Sequence, residues 1–352
     1  MNARKTIIYL LVATAVIFIG HYFYENYKLN SFLGGGIPER DGYRELTEGD
    51  SKNVLAEAKT LESNKDPGKA VLILDELKNR TEDMLQKSII DLEIANTKIR
   101  SIDLEEGVEA LAKIVNNENY PRVSRAYAMI LIADRFQADL DKKLLKPFFS
   151  EQELALGRED TLITESFKKS YDIYPLGYSA GKLGTDYLLK KINISRYISD
   201  EDYVVALGYF KEIDLSMVQL ENSEGMRHLI PSTLLMRAHM LRLLSFAGRP
   251  QGEDISKAYQ KVLEMARAMG AKRTEQFAVL FYADYLARLP ENITSVTKVL
   301  EENFEKATLD NMVIRYVNNL SLLRRNFPNI YKYTSNDKNF GDLFGLLFHS
   351  RG

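Results

Sequence analysis

The segment Asp103-Leu-Glu-Glu-Gly-Val-Glu-Ala-Leu-Ala-Lys-Ile-Val115 carries the pattern that decides the fold class of this chain. Its apolar residues recur at the spacing of one helix face, and its acidic residues fall in the first turn, where the helix dipole favours negative charge. The segment Asp66–Leu77 has the same pattern, because Asp66 can cap a helix and Pro67 suits the first helical position. Both segments therefore predict amphipathic helices.

The same helical spacing continues almost throughout the chain from Ser51 onward, and convincing alternating strand patterns are missing. Further helices are predicted at about 122–139, 161–173, 178–191, 201–213, 226–247, 254–269, 273–288, 293–304 and 309–324. The sequence therefore predicts an all-α fold.

The predicted helices recur at similar distances. Residues in similar places near helix starts lie 37, 59, 40, 52 and 38 positions apart, at Ala70, Gly107, Ser166, Ala206, Ala258 and Val296. Three of these steps match one helix pair with its turns, and the two longer steps leave room for insertions at 140–160 and 214–225. Periods in this range are typical of stacked helical hairpins, each of which cannot cover its apolar face alone.

Several short segments resemble the tetratricopeptide repeat family in a degenerate form. The best local matches, Glu105–Ala110 and Ile255–Leu263, look like that family's second helix, in which a small residue packs against the partner helix. Gly248 lies where the turn inside a hairpin would be, and Tyr120-Pro121 and Tyr174-Pro175 resemble the family's repeat-ending proline.

The resemblance extends over about 51–324 and departs from the family's pattern, since the first-helix signature with tryptophan is absent from a chain that has no Trp. It implies an α-solenoid of antiparallel hairpins whose concave groove binds peptides or other proteins and which has no enzyme activity. Another α-solenoid family and an irregular helical bundle are the alternatives.

The start of the chain carries a different pattern. Residues 6–24 are nineteen consecutive residues without formal charge, and a helix of that length spans about 28 Å, close to the hydrocarbon thickness of a bilayer. Arg4 and Lys5 precede this run, whereas Lys28 is the only basic residue in the dozen positions after it. We therefore predict a single-pass membrane protein with a cytoplasmic tip at 1–5, a transmembrane signal anchor at 6–24 and its main domain outside, in the periplasm or extracellular space.

A cleaved signal peptide is the alternative to this anchor, because its charged and apolar regions would look much the same. The only small-x-small triplet, Ala13-Thr14-Ala15, lies inside the apolar run, and the aromatic residues at the end of the run suit a peptidase poorly. These features favour an uncleaved anchor.

The remaining segments are assigned from their composition. Residues 25–50 read as a flexible tether, since Gly34-Gly35-Gly36 loses much backbone entropy on ordering. Residues 51–324 form the predicted helical-repeat domain, and residues 325–352 form a C-terminal tail. The apolar segment Phe340–Phe348 of that tail is interpreted as a cap on the open end of the helical stack, with partner docking or membrane contact as alternatives.

Composition excludes some classes of partner. The chain has 47 basic and 49 acidic residues, a formal charge of −2 and no long basic run, which argues against nucleic acid. Apolar residues make up 45% of the chain, as in globular proteins. There is no cysteine, and this absence fits either an oxidising or a reducing compartment.

No catalytic, cofactor or metal signature stands out. His228 and His239 are eleven residues apart, which is not the spacing of two zinc ligands on one helix. The glycine-rich run Leu176–Gly184 lacks the spacing of a phosphate-binding loop, and we interpret it as a helix start after Pro175 that packs closely through small residues. Neighbouring acidic residues are typical of solvated helix faces, so we predict no enzyme activity and no cofactor.

Four arginines accompany the predicted helix near 226–249: Arg227, Arg237, Arg242 and Arg249. They form the candidate partner-binding set, because they could meet an acidic peptide or a carboxyl terminus. The alternative is that they are ordinary exposed surface arginines.

These observations together predict a membrane-anchored helical-repeat scaffold or adaptor. It would bind a protein partner at the outer face of the membrane, in an envelope, secretion or surface-polymer assembly. One alternative is an α-helical glycan-cleaving enzyme, which needs a deep pocket with a carboxyl group of raised pKa. The other alternative is a self-assembling structural spacer.

Overall fold

Every regular element in the described part of the chain is a helix. The structure is a computed structural model that describes residues 53–54, 57–58, 60–61 and 66–348 except 102, 196, 222, 223 and 306. Within these residues it has sixteen α-helices, three short 3-10 helices and no strand. The all-α prediction is thus confirmed.

The α-helices are, in chain order, α1 (Pro67–Arg80), α2 (Met84–Ser101), α3 (Leu104–Asn116), α4 (Arg122–Asp139), α5 (Glu151–Leu156), α6 (Glu159–Ile173), α7 (Gly177–Ser195), α8 (Asp200–Glu221), α9 (Ile230–Phe246), α10 (Ile255–Ala268), α11 (Lys272–Leu286), α12 (Ile293–Phe304), α13 (Asn311–Asn318), α14 (Leu320–Asn326), α15 (Pro328–Asn336) and α16 (Lys338–Phe348). The 3-10 helices are Lys142–Leu145, Glu224–Leu229 and Pro290–Asn292.

The predicted signal anchor at 6–24 and the tether at 25–50 lie outside the described residues. Among the helices that the structure does describe, none combines the length and the apolar character needed to cross a bilayer.

Local signals start several helices where the sequence places them. The carboxylate of Asp66 accepts a hydrogen bond from the backbone N–H of Lys69 at 3.2 Å, and that of Asp103 accepts one from Glu106 at 3.0 Å. These contacts satisfy N–H groups that have no partner within the helix. The helix predicted at 122–139 is confirmed as α4.

The two predicted insertions have different outcomes. Residues 140–160 hold the 3-10 helix Lys142–Leu145 and the short helix α5, so an extra element is present there. Residues 214–221 instead continue α8 without a break, and a 3-10 helix follows at Glu224–Leu229. The second insertion is therefore mainly a lengthened helix. The helix predicted at 309–324 is divided into α13 and α14.

Most helices that follow one another along the chain pack against one another, as α1 does on α2, α2 on α3 and α15 on α16, while α4 packs on α6 past the short helix α5. This arrangement is compatible with a helical-repeat solenoid. Gly248 has a φ of +75° in the turn after α9, as predicted for a turn residue, because glycine adopts this conformation without steric cost.

The C-terminal helices belong to the core. Phe340, Phe344 and Phe348 on α16 are buried, and the ring of Phe348 lies 5.0 Å from that of Phe304 on α12. The interpretation of this segment as a cap on the open end of the helical stack stays a prediction.

Helices α7 and α9 approach closely along a glycine stripe. A Cβ atom on Gly181 would lie 2.3 Å from the Cβ of Met236, and one on Gly177 would lie 2.7 Å from the Cγ2 of Thr233. The predicted close packing through small residues is confirmed. This approach matters for the candidate site, because both helices line it.

Candidate functional site

A cavity of about 320 Å³ lies between α4, α6, α7, α9, α11 and the C-terminal helices α13 and α14. Its size is at the lower end of the range typical of small-ligand pockets. Residues far apart in sequence meet around it, since Tyr316 on α13 and Gln137 on α4 are hydrogen-bonded across 179 positions. The end of the chain thus folds back over the groove that the earlier helices form.

Much of the wall is aromatic and apolar. The ring-bearing residues of the lining are Phe167, Tyr178, Phe277, Phe281, Tyr316 and His239. The hydroxyl of Tyr178 donates to the carboxylate of Asp134, at 2.9 Å from its Oδ1. Burial, and then the charge of Asp134, raises the pKa of Tyr178 well above its usual value, so this hydroxyl keeps its proton.

Lys182 on α7 carries a largely buried ammonium group into this wall, with 17% of its side chain exposed. Its Nζ donates to the Oε1 of Gln137 at 3.0 Å and lies 3.9 Å from the Oδ1 of Asp134. It also lies 5.2 Å from the ring centres of Phe167 and Tyr178. Burial lowers the pKa of Lys182, and Asp134 opposes that effect only in part. The ammonium is therefore held in place but incompletely neutralised.

Gln137 links three helices at the cavity. Its side-chain amide accepts from Lys182 and donates to the hydroxyl of Tyr316, and its backbone carbonyl accepts from Nη1 of Arg315 at 3.0 Å. Among the described residues, Arg315 has no carboxylate within ion-pair distance. Its guanidinium therefore has donors left for another acceptor.

The other cations of the lining are paired with carboxylates. Arg325 lies 2.8 Å from Asp186 and 3.3 Å from Asp160, and Arg273 lies 3.0 Å from Asp310. The pairs of Arg325 join α14 to α6 and α7, and the pair of Arg273 joins α11 to the residue before α13. They leave Lys182 and Arg315 as the lining cations with unused capacity for an anion.

His239 on α9 is a second incompletely satisfied group. Its residue exposure is 3%, its ring is stacked 4.0 Å from that of Phe281, and its Nδ1 has no hydrogen-bond partner. Burial lowers the pKa of His239 well below its usual value, and the charges of Arg242 and Lys182 lower it further. The imidazole is therefore neutral at neutral pH.

His228 does not join His239 in a metal site. The ring of His228 lies 5.0 Å from that of Tyr127 instead. Where the chain is described, no group of three or more histidine or carboxylate residues has the arrangement of a metal centre.

The state of His239 gives a testable dependence of stability on pH. Below about pH 6.5 the imidazole of the unfolded chain takes up a proton that the folded chain does not, so stability falls as the pH decreases. Between pH 7.5 and 5.5 we expect the wild type to lose about 1.4 kcal/mol more unfolding free energy than His239→Leu. Urea unfolding at both pH values measures this difference.

His228→Gln is the control for this comparison, because it removes an exposed histidine and keeps the buried one. It should lose as much stability on acidification as the wild type. Equal losses in the wild type and His239→Leu would contradict the assignment of a neutral buried imidazole.

The four arginines predicted to bind a partner are placed in different surroundings. Arg237 lies 2.6 Å from Asp214 and 2.7 Å from Glu253, and Arg249 pairs with Asp200. Arg242 is fully buried and pairs with Asp284 at 2.8 Å, so it offers no surface to a partner. Arg227 is exposed on a 3-10 helix. Their joint role in partner binding stays a prediction, and none of them lines the cavity.

Two carboxyl groups in the described part of the chain have a raised pKa. Burial raises the pKa of Asp284, although Arg242 opposes the effect, and burial also raises that of Glu212 on α8. Neither residue lines the cavity. The carboxylates that do line it are Glu159, Asp160 and Asp186.

Sequence reasoning missed Gln137, Lys182 and Arg315 as site residues. Lys182 lies within the glycine-rich run Leu176–Gly184. The small residues of this run, which predicted close helix packing, were the one local sequence signal near the site. Nothing around Gln137 or Arg315 distinguishes them from exposed helix residues.

Comparisons with known proteins do not add a family to this picture. No protein-family model matches the chain, and no curated protein is detectably similar to it.

Proposed function

We propose that this chain is a membrane-tethered helical-repeat adaptor, similar in architecture to the tetratricopeptide repeat family, that holds a segment of a protein partner in its cavity. The partner would be bound at the outer face of the membrane, within an envelope, secretion or surface-polymer assembly. The tethering depends on the anchor expected at 6–24.

The observation that carries this proposal is the cavity with its two cations. Lys182 and Arg315 both donate to Gln137, and their carboxylate contacts are a 3.9 Å approach to Asp134 for Lys182 and none in the described residues for Arg315, whereas Arg273 and Arg325 have carboxylates at 3.0 Å and 2.8 Å. Both residues are half-buried, and charge withdrawn from water in this way is costly without a partner, so proteins retain it mainly at binding sites. Stacked helices that enclose such a site suit the capture of an extended segment better than the contact of two flat surfaces.

Site-specific photocrosslinking in native membranes tests the proposal. We expect a photoreactive phenylalanine analogue at Leu322, in the cavity lining, to form a covalent adduct with one defined protein. The same analogue at Leu72, an exposed residue of α1 outside the lining, is the matched control and should not form that adduct. Adding Arg315→Glu should abolish the adduct from Leu322.

The contrary result is equally specific. If Leu322 and Leu72 give the same adducts, or if Leu322 gives none, the cavity does not hold a protein segment. The function proposed for it would then have to be abandoned.

A further inference from the structure

We infer that the ligand of this cavity carries a carboxylate next to an apolar body of about one side chain, with Lys182 and Arg315 on the carboxylate. This inference deepens the proposed function, because it gives the chemistry of whatever occupies the same cavity. The carboxylate can come from a free small acid or from the last residue of a peptide.

Unused hydrogen-bond donors in the cavity favour an anionic end on the ligand. The ammonium of Lys182 has three donors, and its close acceptor is Gln137, since Asp134 is 3.9 Å away and also accepts from Tyr178. Arg315 uses Nη1 on the carbonyl of Gln137, and no other acceptor is found for it in the described part of the chain. A planar carboxylate can accept two parallel bonds from a guanidinium and one from an ammonium.

Gln137 makes this pair a built feature of the fold. It bonds to Lys182 on α7 and Arg315 on α13 at the same time, so the two cations are positioned before any ligand arrives. Such preorganisation reduces the entropic cost of binding. The other lining cations do not compete for the anion, because Arg273 and Arg325 have their own carboxylates.

The size and the apolar lining of the cavity favour an apolar body on the ligand. Phe167, Leu235, Met236, Phe277 and Phe281 all line the cavity. A volume of about 320 Å³ accommodates one large side chain with its backbone and excludes a helix or a folded surface. The ligand is therefore an amphiphilic acid or a chain end.

His239 is the group that would meet a polar atom of that body. Its Nδ1 is buried and unpaired, and buried polar atoms without partners are rare in folded proteins. A neutral imidazole bonds either to an amide N–H or to a carbonyl, according to its tautomer. An acylated amino acid offers both groups next to its carboxylate.

Isothermal titration calorimetry of the full chain in detergent tests the inference. The probes are the N-acetyl derivatives of phenylalanine, leucine and methionine, each compared with its carboxamide. We expect at least one acid to bind at least 10-fold more tightly than its amide, because the amide lacks the negative charge. If no acid of the panel is preferred over its amide, the inference is overturned.

Variants locate the binding. Arg315→Met and Lys182→Met should each lower the affinity for the preferred acid at least 10-fold. Arg315→Lys should lower this affinity less, since lysine keeps the positive charge. Arg324→Met removes an exposed arginine outside the lining and should leave the affinity unchanged. Equal affinities in Arg315→Met and Arg324→Met would place the acid elsewhere and refute the assignment.

A peptide arm separates the two sources of the carboxylate. A hexapeptide that ends in the preferred residue as a free acid should bind as tightly as the small acid if the natural ligand is a chain terminus. If only the small acid binds, the ligand is a free acid. That outcome, together with a failed crosslink from Leu322, would refute the proposed adaptor function. The inference that the cavity binds a carboxylate would still hold.

Discussion

Asp284→Ala is expected to lower the free energy of unfolding by about 3–5 kcal/mol, because it leaves the guanidinium of Arg242 unpaired in the core. The side chains of Arg242 and Asp284 are 1% and 0% exposed, and their Nη1 and Oδ2 atoms lie 2.8 Å apart. The remaining partners of the guanidinium, the backbone carbonyls of Phe281 and Asn326, carry no negative charge. The loss therefore includes the full cost of an uncompensated buried charge.

Asp284 has a second role that adds to this effect. Helix α15 begins at Pro328 after Phe327, whose side chain cannot cap it. The Oδ1 of Asp284, on α11, instead accepts from the backbone N–H groups of Asn329 at 2.9 Å and Ile330 at 3.0 Å. A capping side chain is typically worth about 1 kcal/mol. One carboxylate thus joins α9, α11 and α15.

A double-mutant cycle separates the two roles. Arg242→Met and Asp284→Asn should each destabilise the chain, whereas the double variant should be more stable than the sum of the single losses predicts. Asparagine keeps an oxygen for the N–H groups of α15, so the double variant loses mainly the ion pair. Urea unfolding followed by circular dichroism measures the four free energies of the cycle, for the wild type, the two single variants and the double variant.

Arg249→Met provides the control, since its partner Asp200 is exposed and such surface pairs contribute less than about 1 kcal/mol. If Asp284→Ala costs no more than Arg249→Met, or if the cycle is additive, the buried pair does not hold these helices together.

The sequence predicts the helices well wherever local signals decide them. Asp66 caps α1 as expected, the helix predicted from Asp103 is present as α3, and Gly248 forms the turn after α9. The C-terminal part of α8 was missed because its apolar residues occupy two faces. Leu215 and Val218 are exposed while Met217 is buried, so no single stripe marks this part of the helix.

The cavity could not be predicted in the same way, because its defining contacts are not local. Lys182 and Arg315 reach Gln137 across 45 and 178 positions. The burial of Arg242 depends likewise on distant partners, since its guanidinium bonds to Asp284 and to the backbone carbonyls of Phe281 and Asn326. The arginines that the sequence suggested therefore differ from the residues that line the cavity. The charge pairs that decide these positions join residues that are far apart in the chain.

Gly181→Ala is the second large effect that we expect, with a loss of about 1–3 kcal/mol in unfolding free energy. The added Cβ would lie 2.3 Å from the Cβ and 2.8 Å from the Cγ of Met236. A Cβ atom cannot rotate away, so α7 and α9 must separate. This strain should outweigh the gain of up to about 1 kcal/mol that alanine brings to a helix interior.

Gly208→Ala is the matched control, because Gly208 lies on the neighbouring helix α8 and a Cβ there meets nothing within 4 Å. It should stabilise the chain by about 0.5–1 kcal/mol. The two substitutions are chemically identical and should have opposite signs in the same urea titration.

Gly181→Ala should also change the geometry of the cavity. Lys182 follows Gly181 on α7, and Met236 and His239 lie on α9, so moving these helices apart displaces the anion-binding end from the imidazole. We therefore expect Gly181→Ala to lower the affinity for the preferred acid by about 10-fold or more, since small misplacements of binding groups are costly. A variant that is destabilised but binds the acid like the wild type would show that the α7–α9 contact supports the fold alone and does not set the geometry of the site.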